Sequence, residues 1–402
     1  MSTYTCPCPF DPRRARAGSL SFIAAFLAIL VLPGIAFSLP AAAPGAAVSE
    51  EIKTAYGLLL PVFLVLFLGS MALLASFIRR HAAETSNSGE FTLQSLLIPV
   101  FEAKSTLFEK LSVIFVNPVL WIDEGLFVLV LLAIIHSQLA ISIGSEEALR
   151  MIIFAGMGAG VLPFAYLFGA YLLDFRVARK PFRFFVAFFM WGALAAVAAF
   201  FANSLLASAF NFAGFDLSSV YGVVFATAVA SPLIEEVVKG MGIYLGSRHH
   251  SFDSVPTGML LGFACGIGFS FVENWFYFTS RTTPFELGFE GWIALIVYRS
   301  FFNALSHGIF SGSVGGFIGY IKSHPGFARK YHLGVVPGIL FAILLHSIFN
   351  SSAIIDTLAI SQYNFAFFIF NPFIAVVFNL LFVLVLFLSI REFWVKGRNA
   401  ST

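Results

Sequence analysis

Apolar residues run along this chain in ten long stretches, roughly 19–39, 55–78, 125–144, 151–173, 184–208, 219–247, 256–279, 292–321, 333–354 and 365–390, separated by polar segments. Each is close to or above the roughly 20 residues a helix needs to cross a bilayer. A backbone in lipid must satisfy its own hydrogen bonds, so stretches of this kind predict helices. The expected fold class is all-α, a polytopic integral membrane bundle of about ten transmembrane helices. An even number of spans puts both termini on one side. With that side taken as cytoplasmic, eighteen Lys and Arg fall inside, three (Lys53, Arg150 and Arg281) fall outside, and Lys239 and Arg299 lie within spans, which accounts for all 23. This asymmetry predicts a multi-pass protein of the cell (inner or plasma) membrane with cytoplasmic N and C termini.

The first stretch also reads as a secretory signal, because Arg13, Arg14 and Arg16 precede it and small residues from Ala41 to Ala47 follow. The segment 79–124 mixes apolar positions such as Leu93, Leu96, Phe101 and Phe108 with charges, and is expected to form cytoplasmic helices lying on the membrane. No connection is long enough for an independent enzyme domain, so any chemistry has to occur within the helices. The expected organisation is an N-terminal membrane region (1–124) with two spans and an amphipathic segment, a three-helix scaffold (125–216), and a polar core (217–402) whose motifs lie within 231–350.

Composition sharpens this. With 59% hydrophobic, 17% aromatic and 11% charged residues, the chain is neither a soluble domain nor disordered. A net charge of +2 offers nucleic acid little, and the three Cys (Cys6, Cys8 and Cys265) are too scattered for a disulfide framework or a thiolate zinc site.

Ionisable residues divide the chain into unlike halves. Spans one to five hold only His136, whereas spans six to nine hold Glu235, Glu236, Lys239, Glu273, Arg299, His307 and His346. A charge at the bilayer centre costs about 2.5 to 3.5 kcal/mol on insertion scales, so such residues are candidates for function. Glu235 and Lys239 stand at i and i+4, able to pair along one helix face, while Glu236 is offset by about 100°. One cation cannot neutralise two carboxylates, which leaves one as a candidate base. Pro232 removes a backbone donor there and opens the helix locally. Glu273 has no cation within its own turn and needs a partner on another helix. Gly258, Gly262 and Gly266, like Gly308, Gly312 and Gly316, permit close helix packing. His346 and Asn350 share a face, one turn apart. At 1.5 Å per residue, Glu235 and His346 come out about 16 and 20 Å from the cytoplasmic ends of their spans and His307 about 22 Å from the external start of its own, whereas Glu273 lies about 25 Å from Pro256, nearer the external side, and joins them only if that helix is tilted or starts late.

Other chemistries fit less well. There is no HExxH, no GxGD, and Ile309 stands where a GxSG would need Gly. A proton- or cation-coupled transporter uses the same residue types, but would be expected to repeat its polar groups in both halves. A non-catalytic membrane scaffold would be expected to have lost a Glu or a His.

Four elements in order on successive spans, EExxK (Glu235, Glu236, Lys239), FxxxEN (Phe269, Glu273, Asn274), His307 in a small-residue helix, and HxxxN (His346, Asn350), resemble the PrsW family of intramembrane proteases, distant kin of CAAX-processing and bacteriocin-processing membrane proteases. The resemblance covers about Ser231 to Asn350. It implies an endopeptidase acting on a membrane protein or membrane-tethered peptide, such as an anti-sigma factor or a prenylated or signal-like peptide. The expected catalytic set is Glu235, Glu236, Lys239, Glu273, His307, His346 and Asn350. Glu235 or Glu236 would be the base, Lys239 would hold the pair ionised, and His346 with Asn350 would stabilise the oxyanion. In a zinc version Glu273, His307 and His346 are the ligands and Glu235 activates the water. In a metal-free version Glu273 and His307 orient water and carbonyl directly.

Overall fold

The computed structural model describes Phe115 and residues 118–399, except 179, 250–251, 281–282, 325, 327 and 358–368. The spans expected at 19–39 and 55–78, the signal-like reading of the first, and nearly all of the surface segment 79–124 lie outside the described residues. From Glu124 to Thr402 the chain forms one compact unit.

The described secondary structure is helical throughout. Its helices are α1 (Pro118–Ile143), α2 (Ser145–Val177), α3 (Phe182–Phe212), α4, α5 (Val255–Ser280), α6, α7 (Val335–Thr357) and α8 (Asn371–Asn399). Helix α4 runs through Val220–Phe225, a π turn at Ala226–Ala230, and Ser231–Ser247. Helix α6 runs through Pro284–Tyr298, a π turn at Arg299–Asn303, and Ala304–Ser323. Among the described residues, seven helical segments are long and apolar enough to cross a membrane, matching the seven stretches expected from 151–173 onward. A shorter apolar helix, Leu131–Ile143, falls in the stretch 125–144.

Helix α5 is the central post, and its glycines decide how close its neighbours come. A Cβ on Gly258, Gly262 or Gly266 would run into the carbonyls of Gly315, Ser311 and His307 on α6. On the other side a Cβ on Gly268 would meet the carbonyl of Phe189, and one on Gly192 of α3 would meet that of Cys265. The glycine stripe read from the sequence thus lets α5 touch α6 backbone to backbone, as small residues do in lipid.

The π turn in α4 ends at Ala230, two residues before Pro232. Proline has no N–H and its ring crowds the carbonyl four residues back, so the chain widens there rather than continuing as a regular α-helix. At the start of α4, Ser219 Oγ accepts from the Gly222 N–H at 3.1 Å. Ser218 donates twice to Asp216, which holds the Asp216 carboxyl below the usual carboxylate range. At the far end, Lys322 Nζ donates to the carbonyls of Ser247 (2.5 Å) and His249 (2.9 Å), satisfying groups left open where α4 stops.

Candidate active site

Helices α4, α5, α6 and α7 bring the sequence-predicted residues together inside the bundle. Glu236 and Lys239 are wholly buried, and Glu235, His307 and His346 nearly so. Lys239 Nζ donates to Glu236 Oε1 at 2.5 Å and to His307 Nδ1 at 3.1 Å, and lies 4.2 Å from the centre of the Phe269 ring. Glu236 Oε1 also accepts from His346 Nδ1 at 2.8 Å. Since an ammonium only donates and a carboxylate only accepts, these bonds assign the ring protons. His346 carries a proton on Nδ1 and turns Nε2 toward the cavity. His307 accepts at Nδ1 and carries its proton on Nε2, which faces Glu273 Oε2 at 3.1 Å.

The adjacent carboxylates therefore do different things. Glu236 faces backward and ties α4 to α7, while Glu235 lines a cavity of about 650 Å³ together with Glu273, Arg299, Asn303, His307 and His346. Glu235 Oε2 lies 3.9 Å from His346 Nε2, is buried, and accepts no hydrogen bond from the described residues. Its other oxygen accepts from Ser231 Oγ at 2.5 Å.

Glu273 joins the site although it stands well along its span. The antiparallel contact sets Gly266 against the His307 carbonyl. Helical side chains lean toward the N-terminus of their own helix, so Glu273 and His307 lean toward each other. Asn303 Nδ2 donates to Glu273 Oε2 at 3.0 Å and Arg299 Nη2 approaches Oε1 at 3.5 Å. Arg299 is itself held by Asn274 Oδ1 (3.0 Å) and lies 3.9 Å from the centre of the Tyr277 ring. Asn350 also lines the cavity, with Nδ2 donating to the Thr227 carbonyl in the α4 π turn at 3.0 Å. Cys265 is buried packing, its Sγ 3.9 Å from the Lys239 carbonyl.

Among the described residues, Glu235, His307 and His346 each bring a ligand atom within 4.8 Å of the other two. Two imidazoles and a carboxylate are a donor set of catalytic zinc sites, and Glu235 Oε2, buried with no hydrogen bond from the described residues, suits a cation. These residues fit zinc. The carboxylate in this cluster is Glu235, whereas sequence reasoning gave that place to Glu273.

Sequence reasoning also left three residues outside the site, Ser231, Asn203 and Asn303, and counted Arg299 among the intramembrane candidates without placing it in the catalytic set. Ser231 is signalled by its place four residues before Glu235. Arg299 and Asn303 lie four apart on a visibly polar face, but Asn203 sits alone in an apolar helix and only tertiary contact finds it.

Carboxylates, imidazoles and a cavity enclosed by apolar helices describe a membrane-embedded hydrolytic enzyme. The comparisons give the family: PrsW family intramembrane metalloprotease matches residues 180–386, just over half of the chain, and the chain belongs to that family. It is also similar to a protein named Protease PrsW from Oceanobacillus iheyensis, 24% identical over 195 residues, covering 48% of this chain and 80% of the relative. No solved structure matches the chain. As a member of this family the protein is a multi-pass membrane protease.

Proposed function

We propose that this protease cleaves a peptide bond of a membrane protein or membrane-tethered peptide inside the cavity between Glu235, Glu273, His307 and His346. The observation that carries this reading is the division of labour among the three carboxylates. Glu236 gives Oε1 to both Lys239 and His346 and does not line the cavity, Glu235 lines it with Oε2 accepting no hydrogen bond from the described residues, and Glu273 meets His307 across it.

In this reading Glu235, His307 and His346 would hold a zinc ion, which when bound would supply Lewis acidity to a scissile carbonyl. Glu236 orients His346 through Nδ1, in the carboxylate–histidine arrangement common behind metal ligands. His307 must free its Nε2 to bind, and Glu273 Oε2, 3.1 Å away, is placed to take that proton. Once that proton has passed on to bulk water, the ionised Glu273 would serve as general base toward water and then as proton donor to the leaving amine. Asn303 and Arg299 hold its two oxygens in place. Relative to the sequence-based expectation, Glu235 and Glu273 exchange roles. The distribution of Lys and Arg supports a cell-membrane protein with both termini in the cytoplasm.

The test is cleavage of single-span membrane substrates in liposomes by the wild type, Glu235→Gln, Glu273→Gln and His346→Ala. Wild-type cleavage that drops by about 10²-fold or more in folded Glu273→Gln supports the assignment. No cleavage by any form, with pH-dependent ion flux altered by the same substitutions, would overturn it in favour of a transporter.

A further inference from the structure

We infer that Asn203 and Ser231 form a positioning relay that sets the orientation of Glu235, so that α3, outside the polar motif region, contributes to the site. Ser231 lies one turn before Glu235 on α4 and its hydroxyl donates to Glu235 Oε1 at 2.5 Å. A hydroxyl has one proton to give, so with that proton committed its oxygen accepts, and Asn203 Nδ2 donates to it at 3.3 Å. The relay has one direction: α3 amide, α4 hydroxyl, carboxylate. Glu235 Oε1 is tied and Oε2 is turned toward His346 Nε2, 3.9 Å away. All of Asn203, Ser231 and Glu235 line the same cavity.

The ordinary habit of a serine in an apolar helix is to donate to the carbonyl four residues back. Ser204 and Ser208 do so on α3, at 2.9 Å each, and Thr227 does so on α4 at 2.8 Å. Ser231 does not. The π turn at Ala226–Ala230 breaks the regular register behind it, and the carbonyl it would use, that of Thr227, accepts instead from Asn350 Nδ2 at 3.0 Å. The widened turn and Asn350 together release the Ser231 hydroxyl toward Glu235. The side-chain torsion ending a glutamate is soft, so the Ser231 bond is what fixes the plane in which the carboxylate presents its second oxygen to His346.

The relay rests on the proposed function only for its turnover readout. In thermal unfolding of the full-length protein in detergent, Ser231→Ala, Glu235→Leu and the double variant are compared with wild type. If Ser231 acts through Glu235, the shifts are non-additive and the double variant unfolds no earlier than the worse single one. Additive shifts overturn the inference. In cleavage assays Ser231→Ala is expected to lower kcat about 10- to 100-fold with KM unchanged, the usual cost of losing a partner behind a ligand. Ser231→Thr, which keeps the hydroxyl, retains activity, and Asn203→Ala adds nothing to Ser231→Ala. A loss confined to KM, or Ser231→Thr as damaged as Ser231→Ala, overturns it. If wild type cleaves nothing, the proposed function falls and the unfolding cycle still decides the relay.

Discussion

Glu236 Oε1 lies 2.8 Å from His346 Nδ1, on the side of the ring turned away from the cavity. The same oxygen accepts from Lys239 at 2.5 Å, so one atom joins α4 to α7 and fixes the tautomer of His346. Glu235, one residue earlier and about 100° round the helix, faces the cavity instead.

Replacing Glu236 with Gln therefore damages structure as well as chemistry. It leaves Lys239, which is wholly buried, without its counter-charge, and breaking a buried pair this way costs about 3 to 5 kcal/mol. Thermal unfolding in detergent measures the loss, and Glu236→Gln is expected to unfold well below Glu273→Gln. Equal melting temperatures for the two variants would contradict the backward-facing role of Glu236.

The contact between α5 and α6 is expected to be intolerant of a single methyl group. Gly266→Ala would drive a Cβ into the His307 carbonyl, and overpacking of this kind typically costs about 1 to 3 kcal/mol. It would also move His307, so turnover falls with stability. Gly169→Ala on α2 is the control, since a Cβ there meets nothing within 4 Å. Comparable damage from both substitutions would mean that the close approach is unimportant.

Zinc dependence has a direct readout. Chelation should abolish cleavage, added zinc should restore it, and elemental analysis should find about one zinc per chain in wild type and far less in His346→Ala. Because the ligands must lose protons to bind, zinc should also dissociate more readily as pH falls. An active preparation free of metal would refute this assignment.

Much of the fold was legible because the bilayer imposes a simple rule on sequence. Long apolar runs such as 184–208 and 256–279 must be helical whatever surrounds them, and they are, as Phe182–Phe212 and Val255–Ser280. The π turn beside Pro232 was foreshadowed by the missing donor. The Glu and His positions stood out because a charge in hydrocarbon is costly enough to need a reason.

Roles within the site were not legible, because role depends on which way a side chain faces among four helices. Glu235 and Glu236 are chemically identical neighbours, and only the place of α7 makes one a tether and the other a cavity residue. Spacing along α5 put Glu273 nearer the external side than the other site residues, and side-chain tilt in an antiparallel, glycine-packed pair brings it to His307. Asn203 carries no local signal at all. The sequence by itself determined the family, the apolar helices from 151 onward and which ionisable residues lie within them, since these follow from local composition and motif order. Which oxygen faces which nitrogen was decided only by tertiary structure, since hydrogen bonds between helices depend on ångström-scale packing that no one-dimensional pattern encodes.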